Sequence, residues 1–277
     1  MGDAAGPVAA FRRLHESGCF VLPNPWDVGS ARLLESLGFR ALATTSSGLA
    51  WSLGRPDNRA TLAEALAHFR AIAGSVAIPV NADFEGGFAA APEDVAANVG
   101  RAAATGIAGL SIEDSTGDAE SPLHDFTLAV ERVRAARRAL DDGSTGVVLT
   151  ARSEGFLVGR PDLVETIRRL TAYAEAGADC LYAPGLRDLG DIRAVVAAVA
   201  PRPVNLLAGD FATVEQLAAT GARRLSVGGA LARAAWTAFL AAAREIAGRG
   251  TFGGLSGIVS TSAMNAAFAA GRPPAEP

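Results

Sequence analysis

Val80-Asn81-Ala82-Asp83-Phe84-Glu85-Gly86-Gly87 reads as a short apolar strand that ends in two acids and two glycines, after which Pro92 opens a helical pattern. The run is too short for a helix, and the paired glycines close it in a turn. The same unit recurs on both sides. Strand-like runs at Cys19–Pro23, Ala41–Thr45, Gly109–Glu113, Val147–Arg152, Cys180–Ala183, Pro203–Leu207 and Arg223–Val227 alternate with helical patterns. Those patterns cover Val28–Leu37, Ala60–Gly74, Pro92–Thr105, Thr127–Leu140, Asp162–Ala176, Asp188–Val199 and Val214–Ala219. Gly38, Gly106, Gly177 and Gly221 each stand where a helix stops just before the next strand, the C-cap position of an αβ loop. Thr61 is placed as an N-cap, and Pro92 and Pro161 in helix-starting positions. Some eight βα units without a break in composition predict an α/β fold, a closed (β/α)8 TIM barrel, ahead of a doubly wound sheet. A single domain is expected over 1–277, with the barrel over about residues 8–245 and a C-terminal helical extension and tail over 246–277. Within that extension a short helix near Thr261–Ala270 precedes a frayed end, Gly271–Pro277.

Composition narrows the chemistry. The chain has 277 residues, 49% hydrophobic and 19% charged, enough apolar content for a sizeable core. No run reaches the roughly 18 apolar residues of a membrane span, and Met1–Phe20 lacks a signal peptide's apolar segment, so a cytoplasmic protein is expected. A net charge of −4, with the signs interspersed, argues against nucleic acid as a partner. Cys19 and Cys180 read as inert thiols in apolar runs, and His15 and His68 as surface residues of helices. All 25 basic residues are arginine. Without lysine, Schiff-base aldolase chemistry, covalent pyridoxal phosphate and a P-loop are excluded, so any carbanion must be stabilised by a metal or by fixed dipoles.

In a barrel the site forms at the C-terminal strand ends. There the sequence places Asn24 and Asp27, the run Thr44-Thr45-Ser46-Ser47-Gly48, Asp83 and Glu85, Glu113-Asp114-Ser115, Arg152-Ser153-Glu154, and Asn205 beside the seventh strand. Asp83, Glu85 and Glu113 on adjacent strands would converge, and like charges at close range need a cation. An all-oxygen set favours Mg2+, or Mn2+, over zinc. Arg152 suits a substrate carboxylate, with a structural salt bridge to Glu154 or Glu113 as its alternative. Ser46, Ser47 and Gly48 can offer hydroxyl and N–H groups to an oxyanion, or can form a plain turn.

At these residues the chain resembles the isocitrate lyase/phosphoenolpyruvate mutase superfamily over about residues 8–245. The landmarks are Pro23-Asn24-Pro25-Trp26-Asp27, Thr45-Ser46-Ser47-Gly48-Leu49, Gly54-Arg55-Pro56-Asp57, Val80 to Phe88, Gly109 to Asp114 and Thr150-Ala151-Arg152. The resemblance implies Mg2+ held by Asp83, with Glu85 and Glu113 reached directly or through water. It also implies that Ser47 and Gly48 bind the carboxylate or enolate end of a pyruvate-like group, with Asp57 and Arg152 in the same pocket. It further implies subunits paired by exchange of the last barrel helix, as a homodimer or homotetramer.

The departures from the pattern shape the functional expectation. Isocitrate and methylisocitrate lyases carry a Lys-Lys/Arg-Cys-Gly-His loop after the fourth strand, and the mutase uses a Lys and an Asn there. Here the loop is Ser115-Thr116-Gly117-Asp118-Ala119-Glu120-Ser121-Pro122-Leu123-His124, and Pro184 replaces the mutase His or lyase Glu after the sixth strand. A standard methylisocitrate lyase or phosphoenolpyruvate mutase is therefore not expected. The shared core suits a Mg2+-dependent lyase or decarboxylase for a small α-keto or 2-hydroxy (di)carboxylic acid. The alternatives are a phosphonate-related P–C mutase or hydrolase and a non-catalytic keto-acid binder. His124, in a loop that could close over substrate, is the first candidate for the missing acid/base, with Tyr182, Glu154 and Glu120 behind it. Gly228-Gly229 at the eighth strand end could form a phosphate site, but close backbone packing is the preferred reading.

Overall fold

A computed structural model describes residues 6–270; the tail at 271–277 lies outside them. Eight parallel strands form one sheet in the order β1-β8-β7-β6-β5-β4-β3-β2. They are β1 (Phe20–Leu22), β2 (Leu42–Ala43), β3 (Val80–Asp83), β4 (Gly109–Glu113), β5 (Val148–Arg152), β6 (Cys180–Tyr182), β7 (Val204–Leu207) and β8 (Arg224–Ser226). Between the two terminal strands of that order, the Ala43 N–H donates to the Pro23 carbonyl at 3.1 Å, which brings the sheet round into a barrel. The expected (β/α)8 barrel is therefore present.

The helices are α1 (Pro7–Leu14), α2 (Val28–Ser36), α3 (Ser46–Ser52), α4 (Leu62–Ala73), α5 (Pro92–Ala103) and α6 (Phe126–Asp142). They continue as α7 (Leu163–Glu175), α8 (Leu189–Val199), α9 (Val214–Ala218), α10 (Ala230–Arg249) and α11 (Thr261–Ala270). Gly38, Gly106, Gly177 and Gly221 all have φ between 87° and 103°, as the C-cap reading requires. Thr61 caps α4 in a full capping box with Glu64. At α7 the cap is Asp162, so Pro161 stands just before the cap and outside the first turn.

Three expectations change. The Ser46-Ser47-Gly48 run is the first turn of α3, with the Thr45 side chain accepting from the Gly48 N–H. The N-terminal α1 is legible in the sequence only as a helical pattern at His15, without bounds or a packing role. It closes the bottom of the barrel, where Phe11 is fully buried against Phe20, Ala43, Ala108 and Val148. His15 and His68 are not surface residues. His15 stacks edge-on against Phe11 and Phe20, and burial drives its pKa down to about 3. His68 is likewise held down, to about 4 by burial, with its Nε2 enclosed and unpartnered.

The main core lies between the strands and the ring of helices, with Ala82, Leu110, Leu149 and Leu181 meeting Phe69, Val99, Val133, Leu170 and Val195. Residues pointing the other way, into the barrel, are largely polar. Gly109 is the tight point of that interior, since a Cβ there would lie 2.6 Å from the Phe11 ring and 2.7 Å from Asn81 Oδ1. Among the described residues no helix is long and apolar enough to cross a membrane.

Candidate active site

The strand ends open onto a cavity of about 180 Å3 whose lining includes Asn24, Ser46, Ser47, Asp57, Asp83, Arg152, Tyr182, Asn205 and Ser226. One wall, from β3 to β5, is charged. The β4–β5 register sets Glu113 beside Arg152, and β3–β4 pairing sets Asp83 beside Ser111. Arg152 is the hub. Its Nη1 donates to Asp83 Oδ1 at 2.7 Å, its Nη2 lies 3.2 Å from Glu113 Oε2, and its Nε donates to Glu154 Oε1 at 2.8 Å. Its cationic carbon stands 5.2 Å from the Tyr182 ring centroid. The salt-bridge alternative for Arg152 is thus what the molecule shows, with Asp83 as a third partner.

Asp83 is held as tightly. Its second oxygen accepts from the Ser46 N–H at 2.9 Å, and its own N–H donates to Thr44 Oγ1 at 2.9 Å. The Gly48 N–H goes to Thr45 Oγ1 at 3.4 Å, while Ser47 Oγ sits 3.0 Å from the same hydroxyl. Of the three, Ser46 and Ser47 line the cavity and Gly48 is buried behind them. A Cβ on Gly229 would come within 2.6 Å of Ser47 Oγ, so that glycine lets the β8–α10 turn approach α3, as the packing reading holds.

Glu85 adopts a left-handed backbone, φ +47°, which costs a non-glycine residue strain and is found where a site needs a particular side-chain direction. Arg132 holds this loop by donating to the carbonyls of Gly86, Ala89 and Glu113. Burial, then the charges of Asp83 and Asp57, lift the Glu85 pKa to about 8. Glu113 is raised well above the carboxylate range, foremost by burial, although Arg152 pulls it back. Asp57 at the rim is raised too, mainly by desolvation. These groups are short of positive charge even with Arg152 among them.

His124 opens onto a neighbouring cavity of about 440 Å3 that also meets Asp57, Glu85, Glu113 and Arg132. Its loop is an ordered turn. Ser115 bridges Leu123, the Thr116 N–H donates to the Pro122 carbonyl and the His124 N–H to the Asp114 carbonyl. Asp114 beneath accepts from Tyr173 Oη at 2.7 Å, Arg169 Nη1 at 3.1 Å and the Glu154 N–H at 2.8 Å. Glu120 is exposed on the loop. Sequence reasoning passed over Arg224 and gave Thr44, Asn81 and Ser226 no part in this pocket, although all four line the cavity. The available signal was a polar residue at the inward positions of otherwise apolar strands.

The donor set for a divalent cation is all carboxylate, as Mg2+ prefers. Among the described residues, however, no three acids stand together in coordinating positions. Asp83 spends one oxygen on Arg152 and the other on Ser46. A cation would have to replace the guanidinium on Asp83. The chemistry of the donors fits, at the cost of a side-chain shift by Arg152.

Comparisons with known proteins agree with this fold. Residues 11–247 match the family described as phosphoenolpyruvate phosphomutase. A crystal structure of a candidate lyase/mutase from Burkholderia cenocepacia J2315 superposes with a TM-score of 0.93 at 47% identity, covering 96% of this chain and 98% of that one. An uncharacterized Mycobacterium tuberculosis protein is 34% identical over 222 residues, 79% of this chain and 81% of its own. The structure of 2,3-dimethylmalate lyase, a member of the PEP mutase/isocitrate lyase superfamily, aligns at TM-score 0.84 and 27% identity over 94% of both chains. The chain belongs to the phosphoenolpyruvate phosphomutase family, within the isocitrate lyase/phosphoenolpyruvate mutase superfamily of carbon–carbon lyases and mutases.

Proposed function

We propose that this chain is a Mg2+-dependent carbon–carbon lyase or decarboxylase acting on a small α-keto or 2-hydroxy (di)carboxylic acid, with the cleaved fragment leaving as an enolate. The observation that carries the reading is the convergence of Asp83, Glu113 and Glu154 on the single guanidinium of Arg152 at the cavity wall. With Glu85 alongside, the acids outnumber the cation, and a divalent ion is what would allow them all to ionise. Asp83, Glu85 and Glu113 would hold it, directly or through water, and Mn2+ suits the same oxygens. Once bound, such an ion draws charge from an enolate oxygen. The residues around it supply binding and orientation. Arg152, freed from Asp83, can grip a carboxylate through two parallel N–H bonds. Ser46 and Ser47 offer polar groups on the same wall, and Asp57 stands at the rim. A volume of about 180 Å3 lies below the roughly 300–1,000 Å3 of drug-sized sites and suits a small acid.

The test is pyruvate and glyoxylate release over a panel of malates, methylisocitrate, oxaloacetate and phosphonopyruvate, with and without Mg2+. Turnover removed by EDTA, restored by Mg2+ and reduced at least about 100-fold in Asp83→Ala is the expected result. Full activity in Asp83→Ala would overturn the metal assignment.

We infer also that the active form is cytoplasmic and is a homodimer or homotetramer built through α10, with neither nucleic acid nor membrane as a partner. In support, Ala232 is the sole fully buried residue of this 20-residue helix, while Trp236, Phe239, Leu240 and Ile246 are exposed along it. A helix so apolar and so little packed on its own barrel has the composition of an interface.

A further inference from the structure

The wall opposite the carboxylates, β6 to β8, contains no acid but ends on a buried cation. Arg224 is 2% exposed, and none of the ion pairs among the described residues includes it. It donates from Nε to Asn205 Oδ1 at 2.8 Å and from Nη2 to Thr150 Oγ1 at 3.0 Å. A guanidinium only donates, so the Asn205 amide must turn its oxygen to Arg224 and its NH2 away. That NH2 donates to Ser226 Oγ at 3.0 Å. The Ser226 hydroxyl in turn lies 3.4 Å from Tyr182 Oη, and equally far from the Leu206 carbonyl. The donors run from Arg224 to Asn205 to Ser226, whose single proton has Tyr182 Oη and the Leu206 carbonyl as equidistant acceptors. Among the described residues no hydrogen bond uses the proton of Tyr182 itself, whose side chain lines the cavity with Asp83 and Arg152. The phenol lines the same cavity as Asp83 and neighbours Arg152, while His124 opens onto the neighbouring cavity.

Resting on the lyase or decarboxylase reading above, we propose that Tyr182 is the proton donor of the reaction, with Asn205 and Ser226 as the positioning residues that turn its hydroxyl toward the substrate. When the C–C bond breaks, with loss of CO2 from a keto acid or with the hydroxyl proton of a 2-hydroxy acid passing to solvent as its carbon becomes a carbonyl, the electron pair stays on the enolate. The Tyr182 O–H bond then breaks as a C–H bond forms at the enolate carbon, and the phenolate regains a proton from water at the cavity mouth. An enolate carbon is a stronger base than a phenolate, so the transfer runs downhill. This assigns the step for which the Ser115–His124 loop carries neither Cys nor Lys.

Tyr182→Phe keeps the ring against Arg152 and deletes only the hydroxyl. The measurement is exchange of pyruvate methyl protons in D2O by 1H NMR with the Mg2+-loaded protein, paired with oxalate binding by calorimetry. Exchange slowed at least about 100-fold, with the oxalate Kd within about threefold of wild type, is the expected outcome. Ser226→Ala, with an unchanged melting temperature, should slow exchange by a smaller factor, on the order of 10-fold, again without weakening oxalate. Wild-type exchange in Tyr182→Phe would overturn the proposal. So would parallel loss of exchange and oxalate binding, which would make Tyr182 a binding group. Mg2+-dependent oxalate binding without exchange in the wild type would also overturn it while leaving the metal site standing. Absence of both in the wild type would sink the lyase reading and this proposal with it.

Discussion

Glu85 gathers in one residue a strained backbone, a place among other acids and a displaced pKa. Its carboxyl titrates near 8 in the fold against 4.5 ordinarily. The protonated form is therefore favoured in the native state. Its contribution to stability is complete below about pH 4.5 and is lost as pH rises through about 8. The metal-free protein should lose melting temperature over this window by more than Glu85→Gln does, and the difference between the two curves isolates the group from His15 and His68. Mg2+ should shrink that difference, since a cation stabilises the ionised carboxylate that burial penalises. Parallel curves for wild type and Glu85→Gln from pH 5 to 8 would show that Glu85 is not the buried acid described. At Arg152, replacement by Lys keeps one charge but cannot reach Asp83, Glu113 and Glu154 together. A point charge lacks the planar fork. Arg152→Lys should lower kcat/KM by about 100-fold, equivalent to about 2.7 kcal/mol, in the assay that identifies the substrate.

At the scale of elements, the strands were legible because each is a brief apolar run bounded by glycine or a polar cluster, and all eight fall where expected to within a residue or two. The C-cap glycines were legible for the same local reason. Helix α3 was not, because Ser46-Ser47-Gly48 has turn composition and its helicity depends on Thr45 as cap and on burial of Leu49 and Ala50. The charged half of the cavity could be read from acids at strand ends. On the acid-free half, Tyr182 and Asn205 could be named singly, but their link through Ser226 to Arg224 could not, since these residues meet only through the β6–β7–β8 pairing. Nor does local sequence reveal that α1 fills the barrel floor with Phe11. That packing yields a prediction: Gly109→Ala forces a Cβ into Phe11 and Asn81. Overpacking of this kind costs about 1–3 kcal/mol. Chemical denaturation should show the loss, with exchange and oxalate binding near wild type, because the strain falls at the opposite end of the strand from Glu113.

For the whole molecule, the eighth helix is the anomaly. In a closed barrel each strand is followed by a helix that covers it, yet α10 leaves β8 and buries little besides Ala232. At about 1.5 Å per residue its 20 residues extend roughly 30 Å. The chain then turns on Glu245, which accepts from the Thr251 hydroxyl and the N–H groups of Gly253 and Gly254. It returns through α11, where Arg32 Nη2 donates to the Phe268 carbonyl at 2.8 Å. The Trp236–Phe239 pair, with ring centroids 5.5 Å apart, is left facing outward beside a groove lined by Trp51, Pro56 and Leu240. Exchange of α10 between two copies would cover this face on both barrels at once, a self-complementary contact that closes. It would also place the partner's helix near the Gly54–Asp57 segment that reaches the rim of the cavity. The double substitution Trp236→Glu with Phe239→Glu should therefore convert the assembly to monomer in sedimentation velocity, and activity should fall with it. A wild-type protein that sediments as a monomer would refute the exchanged helix, while a mutant that stays assembled would place the interface on another face of the barrel.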